Sequence, residues 1–466
     1  MWRMPDTVMP PASAVQSALS LARSSHAASI EALAALIRIR SLTGEEGPAQ
    51  AHLAQGLQGL GAQVHLQEPD TQALFEAFPD IAQYPTHWQH DLVLPYDDLP
   101  TWRALQDSAW ADVLHYRGRP NLVAVFPGTG GGRSLILNGH VDTVTVEPRQ
   151  DWSFDPYAAT VVDGRMVGRG ASDMKGGLMA AVQALRCLRE ADVALQGDVV
   201  FQSVVNEEHA GNGTLDLVRR GWRADAAVVL EPTHNTVCVD HTGGIYWQVS
   251  LQGRPRSPGA RWNRGLQEGV SAIEKLPPVL QALLSLERDC NAEATGGGAV
   301  ADRADFSLVM GKIHGGHYET VTAPEVTVKG GAYFSPRVGS VRSVMRRMSA
   351  AVEDASGGDA YLGEFRPRLQ FLHHDDAVDQ PADIGPARVL RQVLERHGVS
   401  APMRPGPFCC DLRHLVNQAG IPSVIFGPGS IAQAHRPDEH IVLSEYLQAI
   451  EHLIEFIPAW CNGAPG

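Results

Sequence analysis

Four short apolar runs constrain this chain more than anything else in it: "NLVAVF" (121–126), "LILNGH" (135–140), "DVVFQSVV" (198–205) and "AAVVL" (226–230). A strand with one wet face alternates apolar and polar residues; these runs do not, so both faces must be covered. Between the second and third lies "GGLMAAVQALRCL" (176–188), where Leu178, Ala181, Val182, Leu185 and Leu188 fall on one helical face. Strands of this kind alternating with helices predict an α/β fold, a mostly parallel sheet covered by helices. Helical periodicity also marks 29–39 and 49–60, and later 387–396 and 444–457, with another strand in "PSVIFGPG" (422–429).

The texture changes in between. "YWQVSLQG" (246–253) alternates as a half-buried strand does, and "DFSLVMGKIHGG" with "EVTVKGGAYF" reads as a hairpin. Helices are expected over 269–286 and 338–352, and a last strand near Leu369. This is an α+β unit inserted in the larger fold. The expected division is a catalytic domain in two parts, 1–241 and 374–466, interrupted by a smaller domain over 242–373, since 466 residues exceed one compact core. The Pro-, Asp- and Trp-rich stretch 69–116 reads as an extended excursion, and "ATGGGA" (294–299) as a loop.

Acidic residues exceed basic ones by 52 − 38 = 14, which argues against nucleic acid or an anionic membrane as partner. Six cysteines without a CxxC pair indicate neither a disulfide framework nor a thiolate zinc site. No signal peptide and no membrane-spanning run is read, so a soluble, cytoplasmic protein is expected.

Chemistry gathers where the strands end. His140 and Asp142 close the second run; Glu207 and Glu208 follow the third, Glu231 the fourth, and His435 the run at 422–429. Asp173 sits in the glycine-bordered loop "GRGASDMKGG" ahead of its helix. Singly, each has a plain alternative, such as Asp173 capping that helix. Together, carboxylates crowded at one sheet edge repel one another unless cations lie among them. Nitrogen and oxygen donors without thiolate suit zinc, with cobalt or manganese as alternatives. Five candidates are too many for one open tetrahedral site and fit two metals sharing a carboxylate. Residues two apart on a strand share a face, so Asp142 is expected to hold the second ring nitrogen of His140. One carboxylate of the Glu doublet would bind metal while its neighbour takes a proton from water.

"NGHVDTV", "GRGASDMKGG", "NEEHAGNGT", "EPT" and "GPGSIAQAHRPDEH", in this order, resemble the di-zinc amidohydrolases and exopeptidases of the acetylornithine deacetylase, succinyl-diaminopimelate desuccinylase, aminoacylase and carboxypeptidase G group. The resemblance implies that His140 and Glu231 bind one metal, Glu208 and His435 the other, and that Asp173 bridges them. It implies Glu207 as general base, Asp142 as the residue orienting His140, and a lid domain used for homodimerisation. It is closest to the deacetylase-like branch that includes formylaminopyrimidine deformylases, which favours hydrolysis of a small N-acyl amine or amino acid. A dipeptidase or carboxypeptidase would use the same site, and a metal-binding but catalytically silent interaction protein is the rival of another class. The chain departs from the group in the lid. No histidine occurs between His241 and His314, and Ser257 or Arg261 stands where a carbonyl-polarising histidine is usual. Arg337 only approximates the position of a substrate-carboxylate arginine, which leaves open whether the substrate has that group.

Overall fold

The computed structural model describes residues 12–81, 115–295, 304–399, 405–406 and 408–464. Most of the 69–116 excursion, and residues 296–299 of the expected loop, lie outside them. The central sheet has six strands: β1 (Gln63–Gln67), β2 (Asn121–Phe126), β3 (Leu135–His140), β4 (Val199–Val204), β5 (Ala226–Val229) and, far along the chain, β10 (Ser423–Ile425). Their order is β1-β2-β4-β3-β5-β10. β4, β3, β5 and β10 run parallel, while β1 and β2 join one edge antiparallel.

Adjacent residues of one strand feed two different cores, which is why the runs are apolar throughout. Leu122, Leu135, Leu137, Val199 and Phe201 pack under the helices Ala12–Ser24, His26–Arg38, Gly176–Glu190 and Leu443–Cys461. Val123, Ile136 and Val200 point the other way, towards Leu217 of the helix Asn212–Arg219 and Leu412 and Leu415. The helix Gly176–Glu190 approaches the sheet closely enough that a Cβ on Gly177 would meet the Leu230 carbonyl oxygen, so only glycine fits there.

The insert leaves after β5 and returns before β10. Its own sheet comprises β6 (Gly243–Gln252), β7 (Phe306–Gly315), β8 (Glu325–Phe334) and β9 (Arg368–Asp375), antiparallel throughout in the order β7-β8-β6-β9. Along β6, Ile245, Trp247, Val249 and Leu251 are buried in a separate core that includes residues of the helices Ala272–Thr295 and Val341–Gly357. Tyr246, between two of them, is half exposed on the opposite face. Where the insert joins the larger domain, His241 and Val378 exchange backbone hydrogen bonds of 3.3 and 3.1 Å.

Candidate metal centre

Because β4, β3, β5 and β10 are parallel, whatever follows their carboxyl ends collects along one rim, where α/β sheets hold their ligands. His140 is the last residue of β3. Glu207 and Glu208 come three and four residues after β4, Glu231 two after β5, and His435 lies in the loop beyond β10. The His140 Nε2 is 3.1 Å from Asp173 Oδ1 and 3.6 Å from Glu231 Oε1. The His435 Nε2 is 3.5 Å from Asp173 Oδ2 and 2.8 Å from Glu208 Oε2. One carboxylate, Asp173, therefore turns an oxygen to each histidine. Glu207 stands beside the pair, its Oε2 3.9 Å from His140 Nε2. All five sequence-expected ligand residues and Glu207 thus lie together.

Asp142 is also at the site, by a different route from the expected one. The His140 Nδ1–H donates to the Asp142 backbone carbonyl at 2.9 Å, while the carboxylate Oδ1 lies 3.7 Å away. The carboxylate instead accepts hydrogen bonds from Thr43 Oγ1 (2.8 Å) and from the backbone N–H groups of Glu207 and Glu208 (both 3.2 Å). At the end of the strand the chain turns, so the backbone faces the ring and the side chain reaches across to the neighbouring strand end. Asn206, just before the doublet, has φ of 66°, in the left-handed region. Its side-chain oxygen accepts from Arg119, whose guanidinium also donates to both oxygens of the buried Glu46, each at 2.8 Å.

Asp173 is held from behind by Glu439. The Glu439 carboxylate, 1% exposed, accepts from the backbone N–H groups of Gly170 (3.1 Å), Ser172 (2.9 Å) and Asp173 (3.1 Å), and from Arg169 Nη1 (2.7 Å). Other residues went unforeseen. Arg413, Asp375, His373, Phe408, Tyr246 and Tyr333 line a cavity of about 190 Å³ that opens onto the metal-ligand candidates. Cys409, which also lines it, donates its thiol to the Thr242 carbonyl at 2.8 Å. The lid residues weighed from sequence lie elsewhere. Arg261 pairs with Glu274 and Arg337 with Asp305, and neither they nor Ser257 line this cavity.

The electrostatics fit the cluster to cations. Burial alone would lower the pKa of His140, but its hydrogen bond to Asp173 and the charges of Glu231 and Glu207 outweigh burial and hold it well above the ordinary histidine value. Burial pushes Glu207 and Glu231 well above the usual carboxylate range, helped by Asp411 at the first and Asp173 at the second. Burial also raises Asp142, to about 7, and the Glu208 carboxylate raises His435 to about 11. Bare, these groups coexist only by retaining protons; divalent cations remove that requirement. Donor atoms of His140, Asp173 and Glu208, and of His140, Glu207 and Glu231, lie within 4.8 Å of one another, and every donor is nitrogen or oxygen. The residues fit a dinuclear centre for two divalent ions.

Fold and site together define a metal-dependent hydrolase that cleaves a C–N bond with a metal-activated water. A sequence profile of the peptidase family M20/M25/M40 matches residues 136–459, and the chain belongs to that family. It is 30% identical over 366 residues to an N-formyl-4-amino-5-aminomethyl-2-methylpyrimidine deformylase of Halalkalibacterium halodurans, covering 74% of this chain and 84% of that one. To an acetylornithine deacetylase of Shigella sonnei the identity is 27%, covering 73% and 83%. Among solved structures, the di-peptidase Dug1p from Saccharomyces cerevisiae superposes with a TM-score of 0.68 at 13% identity, over 96% of this chain and 99% of that one, a likeness of fold.

Proposed function

We propose that this enzyme removes a short acyl group from a small N-acylated amine. His140 and Glu231 would hold one metal and Glu208 and His435 the other, with Asp173 shared, zinc being the first choice of ion and cobalt or manganese the alternatives. The observation that carries this reading is the pair of contacts from Asp173, one oxygen towards each histidine at 3.1 and 3.5 Å. Bound ions supply a Lewis acid for the acyl carbonyl and bring water into its deprotonation range. Glu207 is the general base: its buried carboxylate, with a pKa raised by burial, takes the proton of the attacking water and later delivers it to the leaving amine. Asp142 fixes the backbone of the Glu doublet through two N–H groups. The deacylase reading is favoured over a peptidase by the 30% identity to a deformylase across most of both chains.

The same reading takes 1–241 and 374–466 as the catalytic domain and 242–373 as a lid through which two chains dimerise, in a cytoplasmic setting without nucleic-acid or membrane partners. Among the described residues no helix is long and apolar enough to cross a membrane.

Glu207→Ala tests the centre. Two metals per chain are expected to remain while turnover of N-formyl and N-acetyl amines falls by roughly 10²–10⁴-fold, the contribution of a general base. Full turnover in that variant overturns the assignment.

A further inference from the structure

The cavity above the metal centre carries information about the amine half of the substrate, given the deacylase reading. Its floor is the ligand cluster and its far wall belongs to the lid. There, Tyr333 on β8, Tyr246 on β6 and His373 on β9 lie on the open face of three neighbouring strands, with His373 paired in register to Tyr246 and Tyr333 paired to Gly244. Glycines flank the rings at ordinary contact distance. A Cβ at Gly331 would lie 3.7 Å from the Tyr246 ring and 3.8 Å from the Tyr333 ring, and one at Gly244 would lie 3.6 Å from Tyr333. The Tyr246 and His373 rings are 5.7 Å apart. Yet Tyr246 and Tyr333 remain 50% and 40% exposed, so their aromatic surface is presented to the cavity rather than used in the lid core.

The cavity's charge points the same way. Of the lining residues only Arg413 is a lysine or arginine, and it is buried with its Nε 3.1 Å from Asp375. The other oxygen of the same Asp375 carboxylate lies 2.8 Å from His373 Nε2, so this one group ties Arg413 and His373 together. Among the described residues a carboxylate on the substrate would find no uncommitted guanidinium or ammonium here and would meet Asp375 in addition, a like-charge contact that disfavours it. The volume of about 190 Å³ lies below the roughly 300–1,000 Å³ of pockets for drug-sized ligands, which favours a small amine half.

We propose that the amine released by this enzyme is a single flat ring system without a carboxylate, neutral or cationic, and that Tyr246 and Tyr333 select it by stacking. Both tyrosines act on the amine half, apart from the metal ligands that act on the acyl half.

The test uses the metal-loaded enzyme and three N-formyl compounds with similar reactive bonds: N-formylbenzylamine, N-formylpropylamine and N-formylphenylalanine. Expected is a kcat/KM for the benzylamine derivative about tenfold above the propyl one, the scale of a good aromatic contact. The phenylalanine derivative, which keeps the ring and adds the carboxylate, is expected to be the poorest. Tyr246→Leu and Tyr333→Leu should erase the ring preference chiefly through KM, with both metals retained. Preference for the carboxylate-bearing substrate, or a ring preference that survives both substitutions, overturns this proposal while leaving the deacylase reading intact. Turnover of dipeptides with none of any N-acyl amine overturns the deacylase reading itself, and this proposal with it.

Discussion

At the scale of single residues, the site depends on carboxylates that never touch a substrate. Glu439 gathers three backbone N–H groups and one guanidinium, and the last of those N–H groups belongs to Asp173. Glu439→Ala would leave Arg169 buried and unpaired and is expected to cost about 3–5 kcal/mol. Glu439→Gln keeps an acceptor for the loop but not the charge, and should fall between the two. Chemical denaturation and metal content per chain check this, and a Glu439→Ala protein with unchanged stability and both metals would contradict it. Little of this support was legible in the sequence. The ligand types were readable because His, Asp and Glu at the ends of apolar runs are costly unless paired. Glu439 bonds mainly to backbone, and any sequence supplies backbone.

At the scale of elements, legibility followed burial. β3, β4 and β5 are buried along their whole length, so their composition alone declares them. β1 was missed because "QVHLQ" is an edge strand with no fully buried residue, and with only Val64 packing against the core it carries too little apolar pattern to read. The alternation of β6 announced a half-buried strand, but which object its open face meets depends on how the lid docks, so nothing in the sequence marked Tyr246. The open edge of the lid sheet supplies another expectation. Among the described residues β7 pairs only with β8, and it shows Val309 and Ile313 at 54% and 58% exposure, an apolar edge of the kind that proteins normally cover. Dimerisation along this edge is expected, and Val309→Lys with Ile313→Lys should shift the mass measured by light scattering towards that of one chain. An unchanged dimer would move the interface elsewhere.

At the scale of the whole molecule, acid should act on buried histidines outside the ligand set as well as on the centre. His241, His374 and His452 are 1%, 5% and 3% exposed, and burial lowers each to a pKa of about 4. Unfolded, each titrates near the ordinary value of about 6.5. Between these values the unfolded chain binds more protons than the folded one, so stability falls as pH drops from about 6.5 to about 4, by up to about 1.4 kcal/mol per pH unit for each group. Denaturant midpoints measured from pH 7 to 4.5 should fall accordingly. His452→Phe, at a ring packed 4.8 Å from His397, should flatten the curve, and an equally steep decline in that variant would count against the assignment. The joint between the domains has its own consequence. The outgoing and returning segments are laced to each other at His241 and Val378, so they behave as one flat strap. A strap tips readily across its width but resists being wrung, so any closing movement brings the tyrosine face down onto the same rim each time.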